Sequence, residues 1–269
     1  MPQIKPSNFV ALEALPVSSS SACDDCGQGE RLGFQFSFAY QPIVDLATHA
    51  VYAHEALVRG PAGEPALSVL GCVNDENRYR FDQACRVKAI KTAAALDMPT
   101  MLSINFMPNA IYRPEVCIRA TLEASRKHGF AVERIIFETV EGERINDAKW
   151  LAEVLREYKR IGFLTAIDDF GAGFAGLNLL ADFQPDIVKL DMDLVRHIDQ
   201  SPARRAIVRG VARICEELGI RIIGEGVETV DECSCLQDLG IGLVQGYLFS
   251  KPLFENCLQA GDPRWLRAA

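Results

Sequence analysis

An α/β barrel with one strand reversed is the fold this sequence predicts, and three observations predict it. Short β-favouring runs alternate with helical periodicity over roughly 230 residues. Eight such runs can be counted, and the first two are joined by too short a segment for a parallel crossover. Taken in order, residues 37–44 and 51–57 flank only Asp45–Ala50, so they read as an antiparallel hairpin. The later strands are expected at 99–105, 134–138 (Arg-Ile-Ile-Phe-Glu), 163–168 (Phe-Leu-Thr-Ala-Ile-Asp), 187–191 (Ile-Val-Lys-Leu-Asp), 221–225 and 242–247. Helical patterns at 80–97, 114–128, 147–161, 201–218 and 229–239 separate them. Eight strands point to a modified (β/α)8 barrel of the triosephosphate-isomerase type, with an open doubly wound sheet as the competing architecture.

Residues 1–33 differ from the rest. They hold Pro2, Pro6, Pro16, the run Ser18–Ser21 and Cys23-Asp-Asp-Cys26, a composition that buries little and reads as a flexible lead-in to a barrel domain over 34–269. The 269 residues carry 28 basic and 36 acidic side chains, so the formal charge is 28 − 36 = −8. That acidity argues against binding long nucleic acid, whose affinity comes from Lys and Arg. A phosphate ester as substrate would need metal ions to supply positive charge. No run approaches the ~18–20 apolar residues of a membrane span, and the apolar stretch Phe9–Leu15 is short and broken by Glu13, unlike a secretion signal. Nine scattered cysteines suit a reducing compartment, and the cytoplasm is the expected location.

The chemistry gathers at the strand ends. In chain order they offer Glu55, Asn105, Glu138, Asp168 with Asp169, Lys189 with Asp191, Glu225 and Gln245. In a barrel the C-terminal strand ends converge on the face that carries the active site. Oxygen ligands without His or Cys suit Mg2+ or Mn2+ rather than zinc. Any one such residue is as easily a solvated strand end; six acids and amides on successive strands are not. Alternation sends neighbours to opposite faces, so Asp168 and Asp169 serve one site only where the strand has begun to bend. Together they could bridge two cations about 3.5–4 Å apart, the spacing of two-metal phosphodiester hydrolysis. Lys189 is then placed for a phosphate oxygen or the attacking water, or else is a buried salt bridge to Asp168 or Asp191.

At these positions the chain resembles the EAL-domain family, bacterial phosphodiesterases specific for cyclic di-GMP. The naming tripeptide is Glu55-Ala-Leu57, within His54-Glu-Ala-Leu-Val-Arg59-Gly60; a second copy, Glu13-Ala-Leu15, lacks the context. Tyr40-Gln41-Pro42-Ile43 precedes it, and Asn105, Glu138, Asp168-Asp169-Phe-Gly, Val188-Lys189-Leu-Asp191, Glu225-Gly-Val-Glu-Thr229 and Gln245-Gly-Tyr247 follow, covering about residues 34–255. The resemblance implies Glu55, Asn105, Glu138 and Asp168 as ligands of a first metal, with Asp168 shared and Asp169 serving a second. It implies Lys189 on the nucleophilic water, Glu225 acting near it as base or through metal-bound water, Gln245 orienting Glu225, Arg59 on a substrate phosphate, Gln41 and Asp191 lining the site, and Glu141 anchoring the loop after Asp169. Two Mg2+ or Mn2+ ions, linear pGpG as product and a homodimer pairing near that loop are likewise implied. Three departures touch the surrounding loops and no ligand: Val140 replaces a usual hydroxyl, Ala172–Gly176 lacks the Tyr-Ser-Ser common in the family, and Gly224 stands where Ala is frequent.

A receptor that binds cyclic di-GMP without turnover, acting through a protein partner, is the alternative of a different class, and a scaffold that has lost both abilities is a third. The complete ligand set favours the enzyme. No sensor domain is recognisable in residues 1–33, so regulatory input is expected from a partner protein, the cysteine tail or expression level. Cys23-x-x-Cys26 supplies only two metal ligands, and Cys233 and Cys235 could complete a four-sulfur site only if they lie close. His49, His54, His128 and His197 share no ligand spacing, and His54 should point away from Glu55 into the core. The basic helix at 201–218 is interrupted by Glu216 and Glu217, as on a solvated barrel face.

Overall fold

The first strand shows how the barrel closes. β1 (Ser37–Asp45) runs antiparallel to β2 (Ala50–Arg59) along its whole length. Its other edge is shared, pairing with β8 (Leu243–Gln245) at 43–45 and with the two-residue β9 (Leu253–Phe254) at 39–40. Pro42, which has no N–H to donate, falls in the gap between those two pairings, where a buried strand tolerates proline. The turn from β1 to β2 is held by Asp45 Oδ1, which accepts the Ala47 and Thr48 N–H groups at 2.9 and 3.3 Å.

The structure, a computed structural model, describes residues 32–111, 113–140, 148–172 and 176–259. From β2 the ring continues in parallel through β3 (Met101–Asn105), β4 (Ile135–Val140), β5 (Leu164–Phe170), β6 (Ile187–Leu190), β7 (Arg221–Gly224) and β8, and β1 closes it. It is the closed barrel with one strand against the others, not the open sheet, and β9 lies outside the ring. Cys23, Cys26, Glu141 and loop residues 173–175 lie outside the described residues.

The expected helices are present as α2 (Arg78–Ala95), α5 (Ala148–Ile161), α8 (Pro202–Leu218) and α9 (Val230–Asp238). The segment 114–128 is divided into α3 (Pro114–Cys117) and α4 (Arg119–His128), although Ile118 N–H to Pro114 O and Leu122 N–H to Ile118 O carry the bonding across. Three more helices, α1 (Ala66–Leu70), α6 (Gly176–Asp182) and α7 (Met192–Val195), went unpredicted, because segments this short do not display a helical period. Ends follow local chemistry: Ser201 Oγ caps α8 ahead of Pro202, and Thr229 with Glu232 forms a capping box on α9. No described helix is long and apolar enough to cross a membrane.

The core has two parts. A large one fills the space between strands and helices, while a small one plugs the inside of the barrel with Ile43, Ala53, Ile136, Ala166, Ile187, Ile223 and Leu243, backed by Tyr52, Met101 and Leu164. Because strand side chains repeat with period two, the next inward residue on each parallel strand lies one layer above that plug. Those residues are Glu55, Ser103, Glu138, Asp168, Lys189, Glu225 and Gln245, and on the reversed β1 the corresponding position is Gln41.

Candidate functional site

The layer above the plug is almost entirely polar, and Lys189 stands at its centre. The ammonium is 3.4 Å from Glu55 Oε2, 3.0 Å from Glu138 Oε2, 3.0 Å from Asp168 Oδ1 and 2.8 Å from Glu225 Oε1. Lys189, Glu55 and Glu138 are buried, and Asp168 and Glu225 are half-buried. Asp168 Oδ1, although close to the ammonium, makes no aligned hydrogen bond. The salt bridge to Asp168 weighed from the sequence therefore exists, as one of four around a single cation. Asp191 is not among them: its Oδ1 accepts the Asp193 N–H at 2.9 Å and caps α7.

The amides join from the flanks. Asn105 Nδ2 donates to Glu55 Oε1 at 2.9 Å, and Gln245 Nε2 donates to Glu55 Oε2 at 2.8 Å and to Gln41 Oε1 at 3.3 Å. Gln245 therefore orients Glu55 and Gln41; the expected contact with Glu225 is not made, because both amide bonds run towards the β1–β2 side of the ring. Gln41 Nε2 in turn donates to Ser250 O at 3.2 Å. Arg59 turns aside, its Nη1 donating to the carbonyl of neighbouring Val58 at 2.7 Å.

The bend required at Asp168-Asp169 is present. The β5–β6 register breaks between Ile167 and Phe170, and Asp169 has φ +53°, a left-handed conformation costly for a non-glycine residue. Both aspartates consequently line one cleft of about 450 Å³. Gln41, Glu55, Glu225 and Gln245 share it, with Leu57, Met192, Arg196, Glu228 and Tyr247 towards the mouth. Sequence reasoning missed Ser103, whose hydroxyl donates to Glu138 Oε1; counting back two from Asn105 would have found it. It also missed the mouth pair Arg196–Glu228, 2.9 Å apart, which no strand period marks.

The electrostatics follow from crowding. Burial pushes Glu138 up to about 8, with Glu55 and Asp168 adding to the rise and Lys189 opposing it. Burial likewise raises Asp169 to about 6, reinforced by Asp168 and Asp191, and lifts Glu225 well above the usual carboxylate range. Burial would lower Lys189, but Asp168, Glu138, Glu225 and Glu55 more than offset it, so the side chain stays an ammonium. Fully ionised, four acids against one lysine leave 4 − 1 = 3 excess negative charges. Such a cluster draws in compensating positive charge, as protons on its raised carboxyls or as added cations in their place. Oxygens of Glu55, Glu138 and Asp168 lie within 4.8 Å of one another, as do those of Asp168, Asp169 and Glu225: two oxygen-only groups sharing Asp168. The donor set fits hard divalent cations.

Away from the site, His54 is buried with Nδ1 2.7 Å from Thr100 Oγ1, as a core histidine should be. Cys233 and Cys235 are free thiols, and Arg213 of α8 is paired with Glu216 and Glu217 on an exposed face.

Residues 30–252 match the EAL domain family. A standalone EAL protein from Vibrio cholerae O395, crystallised with c-di-GMP bound, is 48% identical and superposes with a TM-score of 0.83 over 87% of this chain and 98% of that one. Klebsiella pneumoniae BlrP1 in a manganese and cyclic di-GMP complex is 38% identical, with a TM-score of 0.78 over 83% of this chain and 57% of the other. The blue light- and temperature-regulated antirepressor BluF of Escherichia coli K12 is 34% identical over 215 residues, 80% of this chain. This chain spans about half of BluF's length, 53%.

Proposed function

The chain belongs to the EAL-domain family, and from that premise we propose that it hydrolyses cyclic di-GMP to linear pGpG, using two Mg2+ or Mn2+ ions held by Glu55, Asn105, Glu138, Asp168 and Asp169. The observation that carries this reading is the pair of three-acid groups sharing Asp168, gathered around Lys189 at the strand ends. The manganese and cyclic di-GMP complex of BlrP1 supports the same ligand chemistry. Divalent cations, when bound, neutralise a phosphodiester and acidify water. The chain's own groups do the rest. Lys189, kept charged by its acids, holds the attacking oxygen or a phosphate oxygen near the strand ends. Glu225, whose burial raises its proton affinity, takes the proton of the attacking water as the new P–O bond forms. The old P–O bond breaks, and its leaving oxygen takes up a proton, balancing the one taken by Glu225, to become a free hydroxyl on the linear dinucleotide. Gln245 and Asn105 lock the Glu55 carboxylate from both sides, which is positional preorganisation. Gln41, Arg59 and Asp191 are assigned to the substrate.

The test is a chromatographic assay of purified protein with cyclic di-GMP in Mg2+, Mn2+ and EDTA. Metal-dependent pGpG, absent in EDTA and in Glu55→Ala, is the expected result; turnover by Glu55→Ala at the parent rate would remove Glu55 from the ligand set. A second reading is a cyclic di-GMP receptor that acts through a protein partner, favoured by the description of BluF as an antirepressor. It predicts saturable binding with intact dinucleotide in all three conditions.

A further inference from the structure

We propose that Asp82 and Arg86 of α2 are a positioning pair for the ends of β3 and β4, an assignment that rests on the metal-site reading above. Both lie on α2, outside the barrel wall, and neither is among the residues that line the cleft. Arg86 is wholly buried and is the largest such side chain among the described residues, and Asp82 is 2% exposed. Arg86 Nη2 is 2.7 Å from Asp82 Oδ2, and Nη1 donates to Tyr158 Oη on α5 at 2.7 Å. Three rings surround the guanidinium carbon, with centroids 5.4 Å away for Phe106, 5.0 Å for Phe137 and 5.6 Å for Tyr158.

The position of those rings matters. Phe106 follows Asn105 in sequence and Phe137 precedes Glu138, so the two phenylalanines are the outward neighbours of two inward site residues. The backbone there is held at two points. Phe106 N–H donates to the Glu138 carbonyl at 3.0 Å, and Met107 N–H donates to Asp82 Oδ1 at 2.9 Å. Asp82 is thus the acceptor that fixes the chain as it leaves Asn105, and Arg86 fixes Asp82 while gripping the rings behind Asn105 and Glu138. For stability alone the pair is a poor choice, because an apolar pair of similar volume is commonly as stable as a buried ion pair. What an apolar pair cannot supply is an acceptor for Met107.

Two variants separate positioning from a purely structural role, read by thermal melting without metal and by calorimetric titration with Mn2+. Asp82→Leu/Arg86→Met removes both charges and the acceptor together. It leaves Met107 N–H and Tyr158 Oη without these partners but no buried charge, so it should melt above Asp82→Asn. It should bind Mn2+ about tenfold more weakly than the parent, in line with the losses that follow removal of groups supporting metal ligands. Asp82→Asn leaves Arg86 uncompensated but keeps an acceptor for Met107. It should melt well below the parent yet bind Mn2+ within about threefold of it once folded. A purely structural pair gives the reverse order, with affinity following melting temperature, and that result overturns the proposal. If the double variant does not fold, Asp82→Ala, which removes the acceptor, is compared with Asp82→Asn, which keeps it. Both leave Arg86 uncompensated, so weaker Mn2+ binding by Asp82→Ala alone supports the positioning role and equal binding overturns it. A parent protein that binds no Mn2+ overturns the metal-site reading and this assignment together, whereas a parent that binds with the double variant equal to it overturns only this assignment.

Discussion

Protonation of His54 should weaken the fold as the pH falls, by an amount the structure sets. The ring lies within the wall on β2, fully buried, and Nε2 accepts the Leu258 N–H at 3.1 Å. That contact places the single ring proton on Nδ1, beside Thr100 Oγ1. A second proton would set Nε2–H against the Leu258 N–H inside an apolar layer, and burial lowers the pKa from 6.5 to about 4. Between those values the unfolded chain holds the proton and the folded chain does not, so stability is whole above 6.5 and declines as the pH drops towards 4. Integrated from about pH 7.5 to about pH 5, the loss is about 2 kcal/mol. Glu138 acts in the opposite sense. Its pKa is raised to about 8, so the folded state keeps that proton, and its contribution to stability grows as the pH falls below 8. The His54 effect must therefore be read as a difference. Urea unfolding of the parent and of His54→Gln, whose amide oxygen can replace Nε2 as acceptor, should show the parent losing about 2 kcal/mol more than the variant over that interval. Equal losses in the two proteins would refute the buried neutral tautomer.

Lys189→Met removes the ammonium that contacts four acids, and turnover should fall at least about 100-fold, with cyclic di-GMP affinity changed far less, measured by the chromatographic assay and a binding titration. Gly246→Ala would place a methyl 2.0 Å from Val227 O and 2.4 Å from its N, backbone atoms that cannot yield, so a loss above about 4 kcal/mol or failure to fold is expected on expression and melting. Glu232 accepts the N–H groups of His197, Glu228 and Thr229, joining the loops after β6 and β7, and Glu232→Gln should cost about 1–3 kcal/mol by urea unfolding.

Much of the fold was legible because period-two alternation and turn chemistry are local. The short Asp45–Ala50 link required the reversed strand, and the doubled aspartate required the bend now visible as a broken register with a positive φ at Asp169. The site was legible for a related reason: a strand that is inward-facing and apolar below must be inward-facing one layer higher, so its polar end residue enters the barrel mouth. Short helices such as α7 leave no period to detect, and the two-residue β9 leaves no alternation.

By itself, then, the sequence determined the barrel, its reversed strand, and the acids, amides and lysine that share one layer, since each depends on residues a few positions apart. Tertiary structure alone decided which partner each side chain takes. Gln245 faces Glu55 and not Glu225, Lys189 is shared by four acids, and Asp82 with Arg86 is a buried brace where the sequence shows an ordinary i, i+4 pair. Hydrogen bonds and desolvation depend on separations of a few ångströms between residues remote in the chain, and only the closed ring sets those separations.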